Sequence, residues 1–384
     1  VQLITYKFEL RPNKSQERQF VVFAGQVRFV WNQLLSLARE RHKRGESQDL
    51  SPFGFVYEVT KLKLQYDWLG ESSRQCIDFA AKNLTKAFRR FFAYRKSRGG
   101  RRYGHPVFKS RRRGRDAFQF SEQVKVSGNK VRLPKIGWVR FRKSREVVGE
   151  IREAAVKRSA SGKWFVSIVC KCEIQPLPPV KQICGVDVGF SIYATIADQT
   201  HYEEVTNPRW FKASHRKLKR LQQSLSRKKK GSNNRAKAKL LVARQHERVV
   251  NQRRDFQHKL STKLVVENQA IGVESLSLVG LMRAKLSKSF ADAGFGAFFG
   301  MLKYKCLWYG RTLVEAERFY PSSKTCSQCG HVKESLELSE RVWVCVCGKR
   351  LPRDLNAALN LRNLAVGYTE SLNACGVGVS LDSV

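Results

Sequence analysis

The sequence predicts a multi-domain chain combining α/β and α+β parts, and three observations carry that class. Apolar residues alternate at period two in the first ten positions and again across residues 118–172. Between these stretches the apolar spacing is helical. In the second half, two short apolar strands, Ile183-Cys184-Gly185-Val186-Asp187-Val188-Gly189 and Ala270-Ile271-Gly272-Val273-Glu274, each deliver an acid and are separated by helical sequence. With 384 residues, 42% of them apolar, the chain has enough material for two or three domains and a large core.

In the opening strand Ile4, Tyr6 and Phe8 share one face. After Pro12 the period changes: Phe20, Phe23, Val27, Val30, Trp31 and Leu34 recur at helical spacing, and Asn13 with Gln16 forms a capping-box pattern. A second helix is expected from about Ser73 to Tyr94, with Phe79, Leu84, Ala87, Phe88 and Phe91 as its packed stripe. The stretch Arg95–Arg115 then carries ten Lys or Arg and no acid. From Phe118 to Cys172 the strand pairs Val124/Val126, Val131/Leu133, Val139/Phe141 and Trp164/Val166/Ile168 follow. Ser127-Gly128-Asn129 and Ser161-Gly162-Lys163 supply turn chemistry for a small antiparallel sheet or barrel that the first strand can join. Gln175-Pro176-Leu177-Pro178-Pro179 reads as a stiff linker. Between the two acid-bearing strands, residues 209–246 hold fourteen Lys or Arg and no acid, with a turn expected at Ser226–Asn234 between two basic helices. A further helix to about Gly310, a cysteine module, a final helix from Asp354 and a small polar tail from Thr369 complete the order.

The charge balance narrows the function. Seventy-three Lys and Arg against 32 Asp and Glu give a formal net charge of +41, which repels itself unless an acidic partner meets it, and for a globular chain that partner is nucleic acid. No apolar run reaches the roughly 18 residues of a membrane span. The opening residues lack the apolar stretch of a secretory signal, so a cytoplasmic protein is expected. Ten cysteines are too few for a disulfide scaffold of this size.

Four of those cysteines have metal-ligand spacing. Cys326-x-x-Cys329-Gly330 and Cys345-x-Cys347-Gly348 are two knuckles fifteen residues apart, and four thiolates complete a tetrahedral structural zinc site. The acids point to a different metal. Asp187 lies inside an apolar strand, Glu274 ends another, and Asp354 shares a helix face with Ala358, Leu361 and Ala365. Each alone has a plain structural use as a turn cap, an N-cap or an ion-pair partner. Together, three acids delivered to one core suit a pair of divalent cations that activate water and stabilise the leaving oxygen in phosphodiester hydrolysis.

Several segments resemble the TnpB proteins of insertion-sequence transposons, compact relatives of type V CRISPR effectors. They are Gly185-Val186-Asp187-Val188-Gly189, Gly272-Val273-Glu274-Ser275-Leu276, Pro321-Ser322-Ser323-Lys324-Thr325-Cys326-Ser327-Gln328-Cys329-Gly330 and Arg353-Asp354-Leu355-Asn356-Ala357-Ala358-Leu359-Asn360. The likeness extends upstream through Ala87–Phe92, Pro106–Ser110 and Leu133–Trp138, and includes Ser224–Ser232 and Arg254–Lys259.

That resemblance implies a RuvC-like, RNase H-type nuclease core (179–320 and 350–368) with Asp187, Glu274 and Asp354 as catalytic metal ligands for two Mg²⁺, or Mn²⁺, ions. It implies an inserted zinc ribbon (321–349) with one Zn²⁺ on Cys326, Cys329, Cys345 and Cys347. A wedge-type β-barrel (1–12 and 99–178) interrupted by a helical recognition lobe (13–98) precedes the core, and a flexible tail (369–384) ends the chain. The implied activity is RNA-guided cleavage of double-stranded DNA beside a short transposon-adjacent motif, with a guide RNA as resident partner. A nuclease-dead RNA-guided repressor and a transposase with an acidic triad are the competing readings. The kept acid trio opposes the first, and the ribbon's place before the last acid opposes the second. Nucleic-acid contacts are expected from Arg74, Asp78, Arg101, Arg102, Arg111, Arg112, Arg113, Arg227, Lys228, Lys229 and Lys230. The chain departs from its relatives in the shortened second knuckle, in Leu351-Pro352 where His-Asp is usual, and in Asp78, where many relatives carry Gln.

Overall fold

A computed structural model describes residues 2–96, 103–111, 116–275, 292–337 and 339–374. The chain divides into two compact units, Val1–Glu173 and Ile174–Val384.

The first unit opens with β1 (Gln2–Arg11), and α1 (Lys14–Lys43) follows directly. The capping box forms as the sequence predicts: Gln16 N donates to Asn13 Oδ1 at 2.8 Å and Asn13 N to Gln16 Oε1 at 3.1 Å. α2 (Pro52–Gln65) was not anticipated; it starts on Ser51, whose hydroxyl accepts from Gly54 N, with proline in the first turn. α3 (Arg74–Lys96) is present, but its packed face differs from the predicted stripe. Cys76, Ile77, Ala80, Ala81, Leu84 and Phe88 are buried, whereas Phe79 and Phe91 are only half-buried. The small residues of α3 let it lie close to its neighbours, and the phenylalanines fall to the flank.

Six more strands, β2 (Ala117–Phe120), β3 (Lys125–Ser127), β4 (Lys130–Leu133), β5 (Gly137–Phe141), β6 (Glu150–Arg158) and β7 (Trp164–Cys172), make a sheet in the order β2-β6-β7-β1-β5-β4-β3. The first strand is central, antiparallel to β7 and β5. Among the described residues no pairing joins β2 to β3, so the sheet is open where a closed barrel was one expectation. Its core joins Tyr6, Phe8 and Leu10 to Phe20, Phe118 and Trp164.

The second unit begins with the proline segment, which is strapped down rather than a free spacer. Leu177 N donates to Tyr309 O, and Arg311 Nη2 to Pro178 O at 2.9 Å. The strands β8 (Ile183–Val188), β9 (Ile192–Ala197), β10 (Tyr202–Thr206), β11 (Ala270–Val273) and β12 (Thr312–Glu315) stand in the order β10-β9-β8-β11-β12. The β8, β11 and β12 strands are parallel, with Gly185 opposite Gly272. Helices α4 (Trp210–Ser226) and α5 (Asn233–Glu267) form the predicted basic pair, and α6 (Phe295–Tyr309) follows.

Alternation along the strands divides the sheet's faces. Cys184, Val186, Ile271 and Val273 pack on Leu260, Leu264, Phe298 and Leu302 of α5 and α6. The opposite face, Ile183, Ala270 and Val314, meets Ala365 of the last helix, α7 (Arg353–Ala374). That helix runs past Thr369, where a loose tail was expected. Thr369 is fully buried and its hydroxyl donates to Val366 O, so α7 continues through it. No described helix is long and apolar enough to cross a membrane.

Candidate active site and metal centre

Two glycines decide where the acids stand. A methyl group on Gly185 would overlap the Ala358 carbonyl oxygen and the Arg362 amide, and one on Gly272 would overlap the Leu361 carbonyl. The backbone of α7 therefore lies directly on the sheet at this pair of facing glycines, closer than any side chain would allow. Side chains two residues on share a strand face, so Asp187 and Glu274 project on the α7 side, at the carboxyl ends of parallel strands β8 and β11. Asp354 lies one helical turn before Ala358 and so overhangs the same end.

The electrostatics record the meeting. Burial pushes the Asp187 carboxyl well above the usual carboxylate range, and the charges of Glu274 and Asp354 push it further. The Arg353 guanidinium and the Val188 amide oppose that rise. Glu274 is also raised, by burial, again against Arg353. A half-buried group of like charges with one counter-cation is unstable as trianions, and hard oxygen donors in excess of local positive charge suit divalent cations. Carboxylate oxygens are the donor type such cations take, although these three acids do not bring their ligand atoms within 4.8 Å of one another.

The cysteines meet more tightly. Among the described residues, only Cys326, Cys329, Cys345 and Cys347 bring three or more ligand atoms within 4.8 Å of one another. Cys326 Sγ is 3.7 Å from Cys347 Sγ and Cys329 Sγ is 3.5 Å from Cys345 Sγ. Four sulfurs at such spacing fit one tetrahedral zinc ion, and the shortened Cys-x-Cys still reaches. Burial acts most strongly and raises the Cys326 thiol, but hydrogen bonds from the Cys329 and Gln328 amides and from the Cys329 and Cys345 side chains together bring it down to about 7, while Cys345 in the same cluster is pushed up to about 12. A hairpin of β13 (Val342–Val344) and β14 (Arg350–Pro352) supports the second knuckle. Leu351 is buried in one cluster with Trp343, Cys326 and Cys345. Its role here is to fill the ribbon's small core.

Sequence reading missed what joins this centre to the acids. Asn356 and Asn360, one turn apart on α7, are buried. Asn356 accepts from Ser327 N at 2.9 Å and donates to Thr325 O at 2.6 Å, and Asn360 donates to Ser322 O and Thr325 O. The first knuckle is therefore fastened to the helix that carries Asp354. The i, i+4 pairing of two asparagines within Asn356-Ala357-Ala358-Leu359-Asn360 was the available signal. Arg353 was also passed over; its Nη1 donates to Glu337 O at 2.9 Å while its charge reaches Asp187 and Glu274.

Of the expected nucleic-acid contacts, Arg227, Lys228, Lys229 and Lys230 are exposed at the turn between α4 and α5. Arg235 holds that turn by donating to Leu225 O and Lys228 O. Arg111 is exposed. Arg74 is exposed too, but Asp78 is turned inward, 3.5 Å from Arg74 Nε and 3.8 Å from Lys63 Nζ. Arg101, Arg102, Arg112 and Arg113 lie outside the described residues.

Comparison with known proteins identifies the family. Residues 167–285 match a family (OrfB of IS605) described as "Probable transposase", and residues 295–361 match a "Cas12f1-like, TNB domain". Residues 2–47 match a helix-turn-helix profile, although here they form one strand and a single 30-residue helix. A Streptomyces pristinaespiralis protein named "Putative RNA-guided DNA endonuclease" is 35% identical over 381 residues, covering 97% of this chain and 91% of its own length. The similarly named InsQ of Escherichia coli (strain K12) is 34% identical over 397 residues, covering 97% of this chain and 94% of its own. Among solved structures, a Cas12f1–sgRNA–target DNA complex covers 94% of this chain and 99% of its own at 16% identity, with a TM-score of 0.37.

Proposed function

The chain belongs to the TnpB family, and on that premise we propose that it is an RNA-guided DNA endonuclease whose active site is Asp187, Glu274 and Asp354. The observation that carries the reading is the glycine-seated contact of α7 with β8 and β11, which gathers three acids that the chain keeps far apart in sequence. These carboxylates would hold two Mg²⁺ ions, which supply Lewis acidity toward the scissile phosphate and lower the pKa of the attacking water. Arg353 offsets part of the negative charge beside them, and the asparagine pair on α7 fixes the helix that presents Asp354.

The +41 charge serves the two polyanionic partners, a guide RNA and double-stranded target DNA. Base pairing with the guide selects the target, while protein side chains grip backbones and read a short adjacent motif. We assign motif contact to α3 and its surroundings in the sheet-and-helix unit, the counterpart of a wedge and recognition lobe. Asp78, held by Arg74 and Lys63, would accept hydrogen bonds there rather than donate them. Zinc on the four cysteines is structural. Such an enzyme works where the chromosome lies, in the cytoplasm of a prokaryotic host.

The test begins with sequencing the RNA that copurifies with the protein, then supplying that complex with guide-matched DNA and Mg²⁺ or Mn²⁺. Metal-dependent cutting is expected; guided binding without cutting would make the protein a repressor. Neutralising Arg227–Lys230 should flatten the slope of log affinity against log salt by ~3, the loss of about four phosphate contacts. An unchanged slope would leave that turn a solvated surface.

A further inference from the structure

In the second unit, where the chain leaves β8, lies a cavity of about 360 Å³, walled by Phe190, Ser191, Arg209, Phe211, Lys212 and His215. Phe190 follows Asp187 by three residues. At roughly 3.3–3.6 Å per extended residue, the cavity's rim lies within about 11 Å of the acid. One strand of a duplex rises about 3.4 Å per nucleotide, so the cavity is about three nucleotides or fewer from a phosphate held at Asp187.

The walls are fixed in advance. Asn207 Nδ2 donates to Phe190 O at 2.9 Å and Arg209 Nη2 to the same oxygen at 3.3 Å. Arg209 is held in the left-handed region, φ 47° and ψ 47°, a conformation that a non-glycine residue keeps only when its surroundings impose it. Asp292 is the one acid among the cavity's described lining residues, and its carboxylate is taken up by the amides of Phe211 and Lys212 at 2.8 and 3.2 Å. The side chains of Lys212 and His215 are exposed and make no ion pair among the described residues. Phe211 is half-buried, its ring 6.1 Å from that of His215. An aromatic face flanked by the Lys212 ammonium and the Arg209 guanidinium, in a space near the small end of ligand pockets, has the chemistry of a single-nucleotide seat.

We infer that this cavity holds one unstacked nucleotide of the DNA strand being cut, its base on Phe211 and its phosphate on Lys212 and Arg209. The seat would fix the register of the strand across the acids. The inference rests on the nuclease reading above, and the following experiment separates the two.

Guide-loaded complex is given duplexes with an abasic site at each of the three positions on either side of the cut. For the wild type, one position should slow cleavage by about 10-fold, the order of one lost base–aromatic stack. Phe211→Ala should slow intact DNA similarly and lose its response to that abasic position. A surface variant, Lys212→Ala with His215→Ala, guards against misfolding and should weaken the same step while target binding holds. In parallel, 5-iododeoxyuridine at that position is photo-cross-linked to the wild-type complex. Attachment to the Phe211–His215 peptide is expected. A flat abasic profile, penalties that multiply independently, or attachment of that peptide to guide RNA would overturn the seat. If the wild type never cuts, the nuclease reading fails, and the cross-link alone upholds or removes the seat.

Discussion

Cys326, Cys329, Cys345 and Cys347 close to within 4.8 Å of one another from two adjacent knuckles, whereas Asp187, Glu274 and Asp354 are brought together from two strands and a helix distant in sequence. The cysteines need only local turns and one hairpin. The acids need the whole sheet, and above all two glycines that let α7 settle on it. The difference also lies in charge. Hydrogen bonds from amides and neighbouring thiols together favour the Cys326 thiolate against burial and leave Cys345 raised, while Asp187 is driven toward its neutral form by burial and by its two fellow acids. Both centres thus crowd like charges, the cysteines over a short local hairpin and the acids across a sheet and a helix, and each is electrostatically incomplete until cations arrive.

Breaking the local centre should have the largest effect. The wild type should carry about one zinc per chain, and Cys326→Ser with Cys347→Ser should carry none, since structural zinc contributes ~10–16 kcal/mol. The asparagine pair ties the knuckle to α7, so guided cleavage should fall with the zinc. Full cutting by a zinc-free protein would show the two centres to be independent. The assembled centre is tested next by Gly272→Ala, which should cost about 3 kcal/mol by driving a methyl into the α7 backbone, seen as a lowered thermal midpoint. Gly367→Ala on the same helix meets open space and should instead stabilise by ~0.5–1 kcal/mol. Equal effects at both sites would remove the seat from the account.

The pH response sharpens the contrast between buried charges. Asp187 binds its proton more tightly in the fold than in the unfolded chain. Stability of the metal-free protein should therefore fall as pH rises above about 4, and Asp187→Asn should make that slope shallower in a denaturation series, the raised Glu274 accounting for the remainder. Lys305 of α6 has the opposite sign. Burial lowers its ammonium to about 8, while His258 O, Ser261 Oγ and Thr262 Oγ1 accept its three hydrogens. The folded state then binds fewer protons between about 8 and 10.4, so stability should rise across that window. Lys305→Met should remove its share of the rise, ~2–3 kcal/mol at most, leaving the share of Lys109, which burial also lowers to about 8.

Local signals account for what could be read from the sequence. The capping box at Asn13 and Gln16, the central role of the first strand, the basic helix pair and both acid-bearing strands all have short-range patterns. The second helix has little pattern, because it buries only Phe55 and Val59. The face of α3 was misjudged because phenylalanines outweigh alanines in a hydrophobic count, although alanines permit the closer approach. Thr369 reads as a loop residue, yet in a helix its hydroxyl can bond backward to a carbonyl. The roles of Gly185 and Gly272 arise only when α7 meets the sheet, and the i, i+4 spacing of Asn356 and Asn360 marks a shared helix face without naming the knuckle it binds.

The central claim is that the acids gathered at the glycine seat are the catalytic centre. Its most direct test compares wild type and Asp187→Ala, each loaded with the same guide RNA, for binding and cutting of matched DNA in Mg²⁺. The account predicts guided binding by both within about 2-fold and cutting by the wild type alone, a loss of at least ~10³ in rate when one metal-holding acid is removed. Cutting by Asp187→Ala at the wild-type rate would contradict it and place the active site elsewhere.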